Sequence, residues 1–511
     1  MPIRKTAGYA WNVISLVGII LAITAAGLIV AFLSFEAITG IEKPYLGLMT
    51  YFLFPGMLIF GLLLVPIGAL RVRNYRRLHA DEDIPPFPRL DLNVSTTRHL
   101  FIFFIAASAI FVVIVAVASI KGFEFTESPV FCGELCHVVM EPEHTAWRNS
   151  PHAKVKCVEC HVGPGAAWYV KAKISGMRQL YAVLFHTYPE TIETPIENLR
   201  PARDTCEQCH WPEKFYGGRQ KIFYHYAPNE TNTPREINLL INIGGTPKAP
   251  TAKGIHWHIG TEVTYIARDK KRFDIPYVAM IGKDGKITEF IDTEKPLTRE
   301  EIAKGNKRLM DCTDCHNRPT HIYRSPSQEM DENFVSGHID NTLPYIKKVS
   351  VDILNKSYKS SEEALAAIAR DIPAYYAKNY PDKAKQKADA IKQAVKQVQD
   401  IYSRNFFPNM KVSWNTYPNH IGHFYSPGCF RCHDNKHKSA DGRIISKDCN
   451  LCHTVLSQKQ ENIPAGTQVK NFVHPVDIGD ELMKTNCSEC HMVGGKDTAG
   501  GGGEQTENKG R

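Results

Sequence analysis

The chain has 511 residues, of which 43% are hydrophobic and 22% are charged, and its formal net charge is +8. A charge this small, from 61 Lys and Arg against 53 Asp and Glu, argues against a nucleic-acid-binding protein. All 14 cysteines fall in seven short motifs that end in Cys-His. This leaves no cysteine for a separate disulfide framework or for a free catalytic thiol.

Three uncharged apolar stretches near the amino terminus are long enough to cross a membrane. They comprise residues 11–35, 45–70 and 100–120, and a helix of about 20 apolar residues spans the hydrocarbon core. A secretory signal peptide is the alternative for the first stretch. Its apolar run is too long for that alternative, no clear cleavage site follows it, and two further stretches come after it.

Positively charged residues indicate how these stretches are oriented. Six arginines lie between the second and third stretches, and Arg4 and Lys5 precede the first. The loop between the first and second stretches contains a single cationic residue, Lys43. Because Lys and Arg favour the cytoplasmic side, we expect a cytoplasmic amino terminus. Everything after Ile120 is then expected in the periplasm of a bacterium, with the chain in the inner membrane.

Seven Cys-His motifs follow the predicted spans. Six read Cys-x-x-Cys-His, and the first has one extra residue between its cysteines. The motifs are Cys132/Cys136/His137, Cys157/Cys160/His161, Cys206/Cys209/His210, Cys312/Cys315/His316, Cys429/Cys432/His433, Cys449/Cys452/His453 and Cys487/Cys490/His491. This spacing is the attachment signature of c-type haem, in which both thiols form thioethers and the histidine is the proximal iron ligand. We therefore predict seven covalently attached haem c groups.

Zinc binding and disulfide formation are the two other common uses of closely spaced cysteines. Zinc sites normally join two Cys-x-x-Cys pairs and do not need a histidine after every second cysteine. Disulfides suit the periplasm, but a bridge across two intervening residues is strained and uncommon as a framework. Both alternatives explain the repeated Cys-His ending less well than haem.

Twelve further histidines lie in the predicted periplasmic segment, enough to give each of seven irons a second imidazole. An iron with two imidazole ligands has no open position for a substrate, which favours electron transfer. The candidate distal ligands are Met140, His152, His186, His256, His258, His321, His420, His423, His437 and His474. Met140 is a soft candidate for the first iron, and a plain core methionine is the alternative.

The long gaps between the motifs are expected to hold structure of their own, because a haem cluster needs little polypeptide around it. Short β-branched runs predict strands at 237–243, 263–268, 275–281 and 287–291. Residues 361–377 and 381–403 are rich in Ala, Lys, Gln and Glu and predict helices.

Together these patterns predict a mixed membrane protein. Three N-terminal transmembrane α-helices precede a periplasmic multihaem cytochrome c domain, mostly helix and loop, with a small β insert. The predicted segments are 1–121 (three-helix transmembrane domain), 122–215 (tri-haem segment), 216–311 (β-rich insert), 312–428 (fourth haem and helices), 429–493 (C-terminal tri-haem segment) and 494–511 (disordered tail).

A second membrane-proximal element is predicted at residues 167–185. This stretch combines aromatic, cationic and aliphatic side chains, which is typical of a membrane interface; a soluble helix packing on haem is the alternative. Since 11 residues separate the last span from Cys132, the first haem is expected near the lipid, within reach of a quinol. Quinol oxidation releases protons, and Lys173 is the first candidate to accept one. Glu141, Glu143 and His144 are weaker candidates.

Residues 126–210 resemble the NapC/NirT/NrfH family of membrane-anchored multihaem quinol dehydrogenases. The resemblance rests on the first motif with Met140, Ser150-Pro-His152, the second motif, the segment 173–181, and Thr194-Pro195 before the third motif. It implies oxidation of menaquinol and electron transfer to periplasmic redox partners. It also implies Lys173 in the quinol site, His152 as a distal ligand, and Met140 in place of His137 at the first iron.

The chain departs from that family in three ways. The family typically has one span and four or five haems, the first motif here is longer by one residue, and Gln179 stands where an acidic residue is common. The span and motif counts are similar to the inner-membrane heptahaem cytochromes of metal-reducing, electrode-respiring bacteria. Those cytochromes are proposed to carry electrons from menaquinol towards the outer surface.

The sequence thus favours a quinol:cytochrome c oxidoreductase whose partners are menaquinol, periplasmic c-type cytochromes and the lipid bilayer. One alternative is a membrane anchor and electron donor for a separate periplasmic reductase. The other is a multihaem reductase, which needs an open iron, often at a Cys-x-x-Cys-Lys motif that this sequence lacks. The sequence is also compatible with a homo-oligomer.

Overall fold

The computed structural model describes residues 12–39, 53–78, 91–135, 137–162, 166–196, 200–244, 254–282, 284–417, 419–464, 467–469 and 471–492. The chain forms two compact units. The first comprises residues 1–132 with 156–185, and the second comprises residues 133–155 with 186–511. The predicted tail over 494–511, the amino-terminal cations and the loops 40–52 and 79–90 lie outside the described residues.

The helices and strands follow one another along the chain. The α-helices are α1 (Val13–Thr39), α2 (Phe54–Leu78), α3 (Ser95–Thr126), α4 (Pro129–Gly133), α5 (His137–Arg148), α6 (Cys157–His161), α7 (Ala166–Leu184), α8 (Ala202–Cys206), α9 (Trp257–Gly260), α10 (Arg299–Lys304), α11 (Cys312–Cys315), α12 (Pro326–Val335), α13 (Ile346–Leu354), α14 (Ser361–Asn379), α15 (Pro381–Gln386), α16 (Ala388–Asn405), α17 (Gly479–Leu482) and α18 (Cys487–His491). The strands are β1 (Gly218–Tyr226), β2 (Pro234–Asn242), β3 (Glu262–Ile266), β4 (Tyr277–Ile281), β5 (Ile287–Asp292), β6 (Arg308–Leu309), β7 (Phe406–Phe407), β8 (Val412–Ser413), β9 (His437–Ser439) and β10 (His453–Lys459).

Two apolar helices of the first unit are long enough to cross a membrane, Val13–Phe32 within α1 and Phe54–Tyr75 within α2. Their backbones touch where two glycines meet: a Cβ on Gly18 would lie 2.6 Å from the Gly61 carbonyl oxygen. Ser15 also donates a hydrogen bond to the Val65 carbonyl at 2.9 Å. Small residues and an interhelical hydrogen bond are typical of membrane helix packing. The third predicted span lies within α3 and stays a prediction.

Two antiparallel sheets organise the first half of the second unit. One has the strand order β1-β2-β10 and the other β6-β3-β4-β5-β9. In each sheet, an edge strand comes from beyond residue 429, because β10 pairs with β2 and β9 pairs with β5. The strands within 216–311 therefore do not form complete sheets by themselves, because each sheet includes a strand from the C-terminal part of the chain. They hold the C-terminal motifs against the middle of the chain.

Five helices, α12 to α16, form an apolar core in the same unit. Ile368, Ile372 and Tyr376 of α14 are fully buried, as are Val398 and Ile401 of α16. Side-chain caps define where the helices begin: the hydroxyl of Ser360 accepts a hydrogen bond from the Glu363 backbone N–H. The predicted helix over 381–403 is divided into α15 and α16 at Lys387.

Candidate haem sites

The Cys-x-x-Cys-His motifs form single helical turns. The backbone N–H of the motif histidine bonds to the carbonyl of the first cysteine, at 2.7 Å for His210, 2.8 Å for His316 and 3.0 Å for His433. In such a turn, side chains three and four residues apart lie on one face. Both thiols and the imidazole therefore point to the same side, as attachment to one porphyrin requires.

The second cysteines of three motifs differ in how far they are shielded from solvent. Cys209 of the third motif and Cys490 of the seventh are exposed, whereas Cys160 of the second is half-buried. No disulfide joins any cysteine in the described part of the chain. A cysteine that only fills a protein core is usually fully buried, so these three thiols are not core residues of the polypeptide. Their thioether bonds to haem stay a prediction.

Five motif histidines of the second unit face a second imidazole. The ring centroids are 6.0 Å apart for His152–His210, 6.4 Å for His256–His316, 5.9 Å for His258–His433, 6.2 Å for His423–His453 and 6.2 Å for His474–His491. Two imidazoles that bind one metal at about 2 Å from each nitrogen have ring centroids about 6 Å apart. Each of these five gaps thus fits one iron.

Hydrogen bonds orient several of these rings. The Nδ1 atom lies 2.9 Å from the Ile243 carbonyl in His256, 3.2 Å from Ile255 in His258 and 2.8 Å from Ser446 in His433. A carbonyl only accepts, so Nδ1 carries the proton. The lone pair is then on Nε2, the nitrogen that binds a metal when a second group fixes the tautomer.

Burial favours the neutral form of six of the paired imidazoles. It lowers the pKa of His258 to about 4, and it also lowers the pKa of His256 and His316. The same cause lowers the pKa of His423, His453 and His491. Only the neutral ring can donate its lone pair to iron, so the residues present fit haem c.

Successive motifs of the second unit lie next to one another. The thiols of Cys206 and Cys312 are hydrogen-bonded, as are those of Cys429 and Cys452. The fourth and fifth motifs are joined by a 2.7 Å hydrogen bond from Arg431 to the Asp314 carbonyl. Between the sixth and seventh, Lys447 donates to Asn486 at 2.9 Å. The last five motifs therefore follow one another in space in sequence order.

Two predicted distal ligands use both ring nitrogens elsewhere, which contradicts their candidacy. In His437, Nδ1 lies 2.9 Å from the Asp434 carboxylate and Nε2 lies 2.7 Å from the Ile275 carbonyl. In His420, Nε2 lies 3.2 Å from the Lys271 carbonyl and Nδ1 lies 3.4 Å from the Ser426 hydroxyl. Both nitrogens of each ring thus have hydrogen-bond partners within the protein, which leaves neither ring a nitrogen to bind iron.

His437 should make stability depend on pH, because both of its nitrogens donate and the ring is an imidazolium. Burial alone lowers the pKa of His437, but the hydrogen bonds to Asp434 and Ile275 outweigh it and raise the pKa above its usual value. The stabilisation is therefore complete below about pH 6.5, the unfolded-state pKa, and is lost as the pH rises through the raised folded-state value.

We expect His437→Asn to lower the free energy of unfolding by about 2 kcal/mol at pH 6, where the charged hydrogen bonds are intact. The difference from wild type should shrink at higher pH. Denaturant unfolding of the detergent-solubilised chain at several pH values measures this. A difference that does not change with pH would contradict the imidazolium assignment.

Three further candidates are two distal ligands, His186 and His321, and one proton acceptor, Glu143. His186 is exposed and its ring contacts Tyr188, so its role stays a prediction. His321 has Nδ1 3.0 Å from the Glu143 carbonyl and also stays a prediction. Glu143 accepts hydrogen bonds from Arg318 at both of its carboxylate oxygens, at 3.1 and 3.0 Å, and its role as a proton acceptor stays a prediction.

The first two motifs are described in part. The thiols of Cys132 and Cys157 are hydrogen-bonded in the first unit. Cys136 lies outside the described residues, and so do the side chains of His137 and Lys173. Met140 lies on α5 and is half-buried. His144, also on α5, stacks on Trp147 with the ring centroids 5.4 Å apart, and burial lowers the pKa of this histidine.

Comparison with known proteins identifies the family. Residues 94–200 match the N-terminal region of the NapC/NirT cytochrome c family. The cytochrome c-type protein ImcH of Geobacter sulfurreducens is 71% identical over 503 residues, which covers 98% of this chain and 99% of ImcH. The chain belongs to the ImcH-like cytochromes of the NapC/NirT family. The resemblance inferred from the motifs is thereby confirmed.

A more distant relative of this ImcH-like cytochrome covers only part of it. The cytochrome c-type protein NrfH of Wolinella succinogenes is 31% identical over 78 residues, or 15% of this chain and 44% of NrfH. No solved structure matches. As an ImcH-like member of the NapC/NirT family, the chain is a membrane-anchored multihaem cytochrome with covalently bound haem c.

Proposed function

We propose that this ImcH-like cytochrome oxidises menaquinol at the periplasmic face of the bacterial inner membrane and passes the electrons to periplasmic c-type cytochromes. The proposal includes seven haem c groups, three membrane spans with α3 as the third, a cytoplasmic amino terminus and the six segments predicted from the motif spacing. When bound, haem c supplies one-electron oxidation and reduction at iron.

The observation that supports electron transfer most strongly is the continuous row of paired imidazoles. We assign His152, His256, His258, His423 and His474 as distal ligands to the irons bound at the third to seventh motifs. Two side chains of this chain would then hold each of these five irons. A substrate has no open position at these five sites, which argues against a reductase active site there.

The order of the motifs in space also predicts the direction of electron transfer. Contacts between successive motifs run from Cys206 to Asn486, so the acceptor is expected at the seventh motif. For the first two irons, Met140, His186 and His321 remain the candidate distal ligands.

The exposed face of α7 supports the quinol end of the proposal. Ile174, Met177, Tyr181 and Leu184 recur at intervals of three and four residues and are 64%, 72%, 58% and 65% exposed. Large apolar side chains on one helix face are expected to lie in lipid headgroups. Cys132 and Cys157 belong to the same unit as α7.

Lys173 lies on α7 as well, within this apolar segment. We assign it the proton-accepting role at the quinol hydroxyl. The Lys173 amine would accept a proton as the quinol loses its electrons.

The direct test is to mix the oxidised holoprotein anaerobically with a menaquinol analogue and to follow the haem absorption bands. Reduction of the bands is the expected result. A protein with its full haem content that is reduced by dithionite but not by the analogue would contradict the proposal. The dithionite control separates a missing quinol site from damaged haem.

A further inference from the structure

The fourth and fifth motifs are tied together by an arginine inside the fifth. Arg431 donates three hydrogen bonds: from Nε to the Gly428 carbonyl at 2.8 Å, from Nη1 to Arg272 at 3.0 Å and from Nη2 to Asp314 at 2.7 Å. All three acceptors are backbone carbonyls. These contacts fix the Arg431 side chain without neutralising its charge.

Asp314, inside the fourth motif, is the carboxylate around which the cluster is built. Its side chain is 2% exposed. One carboxylate oxygen accepts hydrogen bonds from the Tyr265 hydroxyl at 2.6 Å, from Arg272 at 2.5 Å and from Arg308 at 2.8 Å. Two guanidinium groups therefore share a single carboxylate. We call Arg272, Arg308, Arg431 and Asp314 the arginine clasp.

The clasp carries excess positive charge in a half-buried place. The clasp contains three guanidinium groups and one carboxylate, and Asp311, which caps the turn of the fourth motif, subtracts one further charge. Asp434 after the fifth motif lies outside the clasp and is hydrogen-bonded to the His437 ring, which donates from both of its nitrogens. Arg431 directly precedes Cys432, and Asp314 directly precedes Cys315. The remaining positive charge thus lies between two haem attachment points.

Positive charge at this position favours the reduced state of an adjacent redox centre. Reduction adds one negative charge, and its attraction to a fixed cation is stronger where burial lowers the effective dielectric constant. We propose that the arginine clasp raises the reduction potentials of the haem c groups attached at the fourth and fifth motifs. This inference rests on the proposed function. It adds that, in the middle of the row of haem sites, the fourth and fifth motifs hold an electron more tightly than they would without the clasp.

The test is a potentiometric titration of the solubilised holoprotein, with Arg431 and Asp314 changed one at a time. Arg431→Gln removes a positive charge and should shift part of the haem signal to lower potential. Asp314→Asn removes the negative charge and should shift part of it to higher potential. Arg431→Lys keeps the charge but not the three hydrogen bonds, and should stay near wild type.

The opposite signs distinguish charge from structural damage, which would move the potentials in both variants in the same direction. Arg443, an exposed arginine paired with Asp441, provides the control, since Arg443→Gln should leave every potential unchanged. If Arg431→Gln loses haem, Arg308→Gln removes a more exposed charge of the same clasp and should lower the same potentials. Unchanged potentials, or shifts of the same sign in the Arg and Asp variants, would overturn the inference.

The outcome is independent of the quinol test, because the titration uses chemical mediators. Shifts of opposite sign in a protein that menaquinol does not reduce would retain the clasp and reject the proposed function. Quinol reduction without these shifts would do the reverse.

Discussion

Replacing His258 with alanine is expected to convert one iron from low spin to high spin while all haem c groups remain attached. The His258 ring lies 5.9 Å from His433, and its burial lowers its pKa to about 4. Removing it leaves the iron at the fifth motif with a single protein ligand. Electron paramagnetic resonance of the oxidised protein should show a new high-spin signal.

The matched control for this variant is His437→Asn. His437 follows the fifth motif at close range and resembles a distal ligand in sequence, but both of its nitrogens are hydrogen-bonded to other groups. This variant should keep the wild-type low-spin spectrum. A high-spin signal from His437→Asn, or none from His258→Ala, would contradict the ligand assignment.

Replacing Lys173 with alanine is expected to slow haem reduction by a menaquinol analogue by about 100-fold, the usual contribution of a positioned proton acceptor. Reduction by dithionite should be unaffected, because it does not need the quinol site. Stopped-flow absorbance of the haem bands measures both rates.

The same helix provides the control for this variant. Lys171 lies two residues earlier on α7, and its amine is 5.2 Å from the centre of the Trp168 ring. Lys171→Ala removes an equal charge from the same membrane-proximal segment. It should retain most of the quinol reaction. Equal losses in the two variants would assign the effect to the charge of α7 and not to a proton acceptor at Lys173.

Local features of the fold were predictable from the sequence. The β-branched runs at 237–243 and 287–291 overlap β2 and β5, and the helix predicted at 361–377 is α14. Strand β1 was missed because the first half of Gly218–Tyr226 is polar and Ile222 is its single β-branched residue, so it has no β-branched run. Strand β10 was missed because it begins at a motif histidine.

The roles of individual histidines depend on contacts between residues far apart in the chain, which the sequence alone does not predict. His437 and His474 both follow a motif closely. What distinguishes them is Ile275, a residue 162 positions from His437, whose backbone carbonyl accepts a hydrogen bond from the His437 Nε2. The pairing of His258 with His433 likewise joins distant parts of the chain. The charges of the clasp were visible inside the motifs, as Asp314 and Arg431, but their contacts depend on tertiary structure.

Every Cys-His motif, including the longer first one, is expected to carry a haem. These motifs include those whose second cysteine is exposed, at Cys209 and Cys490, or half-buried, at Cys160. The pyridine haemochrome assay on the purified chain, referred to its protein concentration, tests the claim most directly. We expect seven equivalents of haem c per chain. Four or five equivalents, the usual number in the NapC/NirT/NrfH family, would contradict the row of irons on which the electron-transfer assignment depends.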